Sequence, residues 1–113
     1  MAPNPFRAAD GQLTPAAIRG KALFEGRAAC AACHSGPKAG GVTKAWIGTT
    51  PPGVDLQAPR LEGVHDTDPY LHDGSARTLE EVFSRRNPNN LHGKAHELSR
   101  AETNDLLEYV REL

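Results

Sequence analysis

Apolar positions recur at helical spacing in three places along the chain, and each run opens with a capping residue. Thr14 followed by Pro15 predicts a helix start, a hydroxyl cap with proline at the first helical position. That helix runs to Gly26, with Ile18 and Ala22 expected on its buried face. A second start is Thr78-Leu79-Glu80-Glu81, the Ser/Thr-x-x-Glu spacing of a capping box, with Leu79, Val82 and Phe83 facing inward. Asn87-Pro88 should stop it. The third, Ser99-Arg100-Ala101-Glu102, uses the same device and leads into a stripe of Thr103, Leu106, Leu107, Val110 and Leu113. Its partner should be the first helix, around Ile18 and Ala22.

Between these runs the chain is polar and rich in turn formers. Residues 1–12 read as a flexible lead-in, and 13–113 as one domain. Residues 35–59 show little periodicity and much Gly, Pro and Thr, which predicts loop. An irregular stretch of that length in a small domain suggests wrapping around a cofactor or site. No segment alternates clearly enough to predict a strand, and there is no repeat. The expected fold is all-α, with three or more short helices joined by long loops.

Composition sharpens this. The chain has 113 residues, 38% of them hydrophobic, with one Trp, two Tyr and three Phe against 11 Gly and 9 Pro. So small an apolar complement makes a thin core, of the kind a metal or cofactor often completes. Two cysteines allow at most one bridge, so a disulfide framework is excluded. The net charge is -1, from 13 basic and 14 acidic residues with no long run of one sign. That balance speaks against a nucleic-acid surface or a polybasic membrane patch. No stretch is long and apolar enough to span a bilayer. The start, Met1-Ala2-Pro3-Asn4-Pro5, lacks a basic end followed by an apolar block, and reads as an artificial start or the edge of a domain within a larger protein.

Candidate chemistry centres on Cys30-Ala31-Ala32-Cys33-His34, the C-x-x-C-H pattern of covalent haem attachment. Two thiols three positions apart on a helical turn reach the two vinyl groups on one porphyrin edge. The histidine that follows is then aimed at the iron from the same side. Three other readings compete. A redox dithiol needs a βαβ context, which is missing. A local disulfide leaves His34 as coincidence. A zinc site would draw Cys30 and Cys33 together with His92 and His96, but Cys33 and His92 lie much further apart than the halves of a zinc finger.

Leu23-Phe24-Glu25 with the Cys30–Pro37 run resembles the start of many bacterial c-type cytochromes. Ala58-Pro59-Arg60-Leu61-Glu62-Gly63-Val64, with Pro69-Tyr70-Leu71-His72-Asp73-Gly74-Ser75-Ala76-Arg77-Thr78-Leu79-Glu80-Glu81-Val82, resembles the C-terminal haem domain of bacterial di-haem cytochrome c peroxidases. The similarity runs from about Leu13 to Leu113. It implies a small cytochrome c-like domain with one haem c, covalent through Cys30 and Cys33, and with His34 as an axial iron ligand. Two departures stand out. The peroxidases use two haems and this chain has one C-x-x-C-H. Their domains commonly take a methionine as second ligand, and the one methionine here is Met1.

In small c-type cytochromes the distal ligand arrives on the loop before the last helix. Here that loop spans 87–98 and holds His92, with His96 in reserve; Gly93 permits close approach to a flat ring. The resemblance places His72 beside the haem, near a propionate, without binding iron. Tyr70 is expected as an aromatic wall, Trp46 as a cover for the haem edge, and Arg60 as a propionate partner. His65 has no spacing argument and should lie at the surface. The expected function is one-electron transfer by a bis-histidine haem, with a redox partner protein, in the periplasm or another extracytoplasmic compartment. A rival is a five-coordinate haem that binds small ligands or reacts with peroxide. A third possibility is a domain that feeds electrons to a larger oxidoreductase.

Overall fold

The computed structural model describes residues 3–113; Met1 and Ala2 lie outside the described residues. Helix α1 spans Pro15–Glu25, helix α2 Leu79–Phe83 and helix α3 Arg100–Glu112, with single 3₁₀ turns at Cys30–Ala32, Val64–Asp66 and Ala95–Glu97. Each α-helix begins where its cap predicts. Thr14 Oγ1 accepts from the Ala17 N–H at 3.3 Å and Thr78 Oγ1 from Glu81 N–H at 3.3 Å. At α3 the capping box closes both ways: Glu102 N–H donates to Ser99 Oγ and Ser99 N–H to Glu102 Oε1. At α2 it does not, because Glu81 reaches back to the N–H of Arg77. Helix α2 is also shorter than expected. Ser84 Oγ donates to the Glu80 carbonyl, a local bond that competes with the helix ladder, and turns carry the chain on to Asn87.

Two very short strands, β1 (Lys44–Ala45) and β2 (Leu56–Gln57), pair antiparallel with Lys44 opposite Gln57 and Ala45 opposite Leu56. No strand was expected in this region. Strands of two residues are too short to show an alternating pattern, and the all-α class stands.

The framework is the crossing of α1 on α3. Leu106, Leu107 and Val110 are buried on α3 as expected, together with Tyr109. The α1 face is not the expected one. Ile18 is 58% exposed and Ala22 is also exposed, while Ala17, Gly20 and Phe24 face inward. The reason is close approach. A Cβ on Gly20 would collide with the Asp105 carbonyl and lie 2.8 Å from Tyr109 Cβ, so the helices meet backbone to backbone where a large residue cannot fit. Beyond this point Phe24 stands edge-on to Tyr109, with ring centroids 5.2 Å apart.

A buried carboxylate fastens the ends of the framework. Glu112, fully buried at the end of α3, accepts from Thr14 N–H at 2.9 Å and Thr14 Oγ1–H at 2.6 Å. It meets the start of α1, where backbone N–H groups lack helical partners and negative charge is favoured. The segment before α1, expected to be flexible, makes specific contacts here. Arg7 Nε donates to the Glu112 carbonyl at 2.6 Å, Asn4 Nδ2 to the Arg111 carbonyl at 2.8 Å, and Phe6 stands edge-on to His65. His65 is partly buried beneath that strap.

Candidate functional site

After α1 the chain turns through Ala29 in the left-handed region (φ 59°) and enters the 3₁₀ turn Cys30–Ala32. The Cys33 and His34 N–H groups both donate to the Cys30 carbonyl, at 3.2 and 2.9 Å. This winding brings Cys30, Cys33 and His34 to the wall of one cavity of about 530 Å³. Its volume falls in the range of small-molecule and cofactor sites. Phe24, Leu61, Val64, Leu79, Val82 and Val110 supply much of the apolar lining, so all three helices and the loops between them contribute. Burial pushes the Cys30 thiol up to about 11. A redox dithiol shows the opposite shift.

The His34 ring is held from behind. Its Nδ1 lies 3.0 Å from the Pro59 carbonyl and 3.3 Å from that of Ala39. Carbonyl oxygens only accept, so Nδ1 carries the proton and Nε2 keeps its lone pair for a metal. Gly40 makes this possible: its φ of 133° is poorly suited to other residues, and a Cβ there would strike the Pro59 carbonyl.

His92 also lines the cavity. The His34 and His92 ring centroids stand 6.4 Å apart with their planes inclined at 38°. Burial, with a smaller contribution from His34, drives the His92 pKa down to about 4. Burial also lowers that of His34, opposed by the Pro59 and Ala39 carbonyls. Both imidazoles are therefore neutral near pH 7, the form that ligates a metal. The Lys94 N–H donates to the Ala28 carbonyl at 2.8 Å, pinning the His92 loop onto the cysteine turn.

Arg60, Tyr70 and His72 also line the cavity. Tyr70 and Ala76 exchange backbone hydrogen bonds at 2.7 and 3.3 Å, closing a hairpin around Asp73-Gly74 in which Asp73 Oδ1 accepts from Ser75 N–H. Burial, then the charge of Asp68, raises the Tyr70 hydroxyl pKa, which keeps it protonated. His72 is exposed at the rim, its Nδ1 3.4 Å from Thr49 Oγ1. Trp46 is not among the lining residues: its indole N–H donates to the Thr50 carbonyl at 2.9 Å and the side chain sits at the surface. His96 also lies off the cavity, exposed and 3.8 Å from Glu97. A zinc set of Cys30, Cys33, His92 and His96 is thus not assembled, and among the described residues no three His, Cys, Asp or Glu side chains cluster to hold a metal ion.

Three contributors were not among the expected site residues. Pro59 and Gly40 act through one backbone contact on His34. Asn87, read from sequence as a helix stop, is buried beside His92. No helix among the described residues is long and apolar enough to cross a membrane.

The residues present suit a flat apolar prosthetic group: two thiols and two neutral imidazoles, the imidazole centroids 6.4 Å apart, line one cavity walled mainly by hydrocarbon. Similar proteins are known. The hydrazine synthase subunit gamma of Kuenenia stuttgartiensis is 27% identical, over 97% of this chain and 44% of its own length. The cytochrome-c peroxidase IdrP1 of Denitromonas iodatirespirans is 28% identical, over 86% of this chain and 40% of its own length. A solved structure of the Kuenenia stuttgartiensis hydrazine synthase matches with a TM-score of 0.76 at 26% identity, covering 99% of this chain and 50% of that one. The chain thus spans less than half the length of these curated relatives. The cytochrome c family model matches residues 17–113, from the buried face of α1 to the end of α3, and with the C-x-x-C-H turn opening onto the cavity the chain belongs to the cytochrome c family.

Proposed function

We propose that this domain is a one-electron carrier whose single haem c is joined by thioethers to Cys30 and Cys33 and ligated by His34 and His92. Family membership implies haem-based electron transfer. The ligation reading rests on the 6.4 Å between the two imidazole centroids. Two imidazole nitrogens held at ~2 Å on opposite sides of one metal put their ring centroids roughly 6 Å apart. A haem held by these residues would supply an iron that changes its charge by one.

The chain's own groups prepare that site. Donation from His34 Nδ1 to two carbonyls fixes the tautomer, orients the ring and strengthens its other nitrogen as a ligand. Apolar walls exclude water, and burial keeps both imidazoles unprotonated. With two imidazoles and no thioether, the reduction potential falls below that of a His/Met cytochrome. Arg60 and His72, which both line the cavity, would pair with the acidic edge of the macrocycle. Attachment of the haem and the exchange of electrons with a redox partner protein take place outside the cytoplasm.

Relatives more than twice this chain's length favour a second setting for the same chemistry, an electron-input domain of a larger oxidoreductase. The likeness to a cytochrome-c peroxidase favours a second chemistry, in which a haem held here would bind a small ligand in the place proposed for His92. Substitution separates these readings. His92→Ala should convert a low-spin spectrum to a high-spin one, and His96→Ala should leave it unchanged. A wild-type protein that is already high-spin and turns over peroxide would move the assignment to the second chemistry.

A further inference from the structure

The loop that carries His92 is otherwise exposed from Pro88 to Leu91, yet it begins at a residue that is only 3% exposed. That residue, Asn87, spends its whole carboxamide on His92. Its Oδ1 accepts from the His92 N–H at 3.0 Å, and its Nδ2 donates to the His92 carbonyl at 3.2 Å. The side chain thus pairs with His92 as a neighbouring strand would, using both backbone groups of one residue. The Asn90 N–H closes the turn onto the Asn87 carbonyl at 3.2 Å, with Asn90 in the left-handed region at φ 56°. On the far side of His92, the Lys94–Ala28 hydrogen bond fixes the chain again. His92 therefore sits between two pins, one made by Asn87 and one by the cysteine turn.

We propose that Asn87 is the positioning residue of the distal site: its carboxamide clamp holds the His92 backbone so that the imidazole stays on the iron, and it thereby sets how readily an outside ligand displaces His92. This rests on the reading of His92 as the sixth ligand. An axial ligand on a loose loop is in equilibrium with an open site, and each open moment admits a competitor. Holding both backbone groups of the ligand residue shifts that equilibrium toward the closed form. Asparagine suits this task because it needs one donor and one acceptor on the same planar group. Aspartate keeps the acceptor and loses the donor; alanine loses both.

The test is cyanide titration of the ferric haem-loaded protein, with spin state read from the absorption spectrum. The variants are Asn87→Ala, Asn87→Asp, His92→Ala and, in the exposed part of the same loop, Asn89→Ala. Asn87→Ala should bind cyanide roughly tenfold tighter than wild type or more, the effect of losing two hydrogen bonds that favour the closed loop. Asn87→Asp should fall between the two, and it carries the test if the alanine variant does not fold. Asn89→Ala should match wild type. His92→Ala should bind tightest of all, and this arm checks the underlying ligation. If His92→Ala opens the iron while the folded Asn87 variants bind cyanide as wild type does, the clamp is refuted and the ligation stands. A lower melting temperature in those variants with unchanged cyanide affinity would also overturn it, since Asn87 would then only support the fold. If wild type is high-spin and His92→Ala changes nothing, both readings fall together.

Discussion

Gly20→Ala sets two effects of opposite sign against each other. In an isolated helix the change is favourable, because alanine gains about 1 kcal/mol over glycine in a helix interior. In this fold the new Cβ would collide with the Asp105 carbonyl and sit 2.8 Å from Tyr109 Cβ. A carbon and a carbonyl oxygen need roughly 3.3 Å between them. Neither obstacle is the far end of a flexible side chain, so the helices themselves must part. Parting them loosens the cluster of Ala17, Phe24, Leu106 and Tyr109, which is packed on both sides of the crossing. Overpacking of this kind costs about 1–3 kcal/mol, and a clash with backbone belongs at the top of that range. Net of propensity, the loss should be about 2 kcal/mol. For a domain of this size that lowers the melting temperature by roughly 8 °C. Thermal and urea denaturation of the haem-loaded protein, followed by far-ultraviolet circular dichroism, read this directly. Ala22→Gly at an exposed site of the same helix calibrates propensity, with an expected loss of about 1 kcal/mol. If Gly20→Ala melts above wild type, propensity has won and the close crossing is wrong.

Removing the Glu112 carboxylate with Glu112→Ala strands the Thr14 N–H and leaves a hole at the helix ends; equilibrium unfolding should show a loss of about 3 kcal/mol, and a loss below 1 kcal/mol would deny the fastening role. Leu106→Ala, at a fully buried position, should cost about 2–5 kcal/mol by the same assay. Cys30→Ala combined with Cys33→Ala should abolish covalent haem, seen as loss of the haem mass in denaturing mass spectrometry, and leave the chain largely unfolded. Acid should weaken the fold through His92. Its pKa of about 4 lies below the ordinary 6.5, so the unfolded chain takes the proton first and stability falls between about pH 6.5 and 4. The gap corresponds to about 3 kcal/mol, iron ligation acts in the same direction, and stability flat across this range in urea titrations would contradict it.

What could be read from the sequence was local. The starts of α1, α2 and α3 follow from Thr14-Pro15, Thr78 and Ser99, because a cap satisfies backbone groups within one turn of itself. The C-x-x-C-H turn is contiguous and needs no tertiary knowledge. The inner face of α1 was not legible. Hydrophobicity singles out Ile18, whereas the crossing selects the small Ala17 and Gly20, chosen for what they lack. The partners of the two histidines were hidden for another reason. Pro59 meets His34 through a carbonyl every residue possesses, and Asn87 meets His92 through a side chain whose sequence neighbours mark it only as a helix end. Glu112 belongs to the same class, since its partner Thr14 lies at the other end of the chain. Trp46 was expected as a cover for the haem edge. The structure gives it a hydrogen bond to Thr50 at the surface.

The central claim is that His34 and His92 together hold the iron. Near-infrared magnetic circular dichroism of the oxidised wild-type protein at neutral pH tests it most directly, because the charge-transfer band reports spin state and the axial pair at once. A low-spin band at the position of two nitrogen ligands is predicted. A high-spin spectrum, or a low-spin band at the position of any other axial pair, would contradict it.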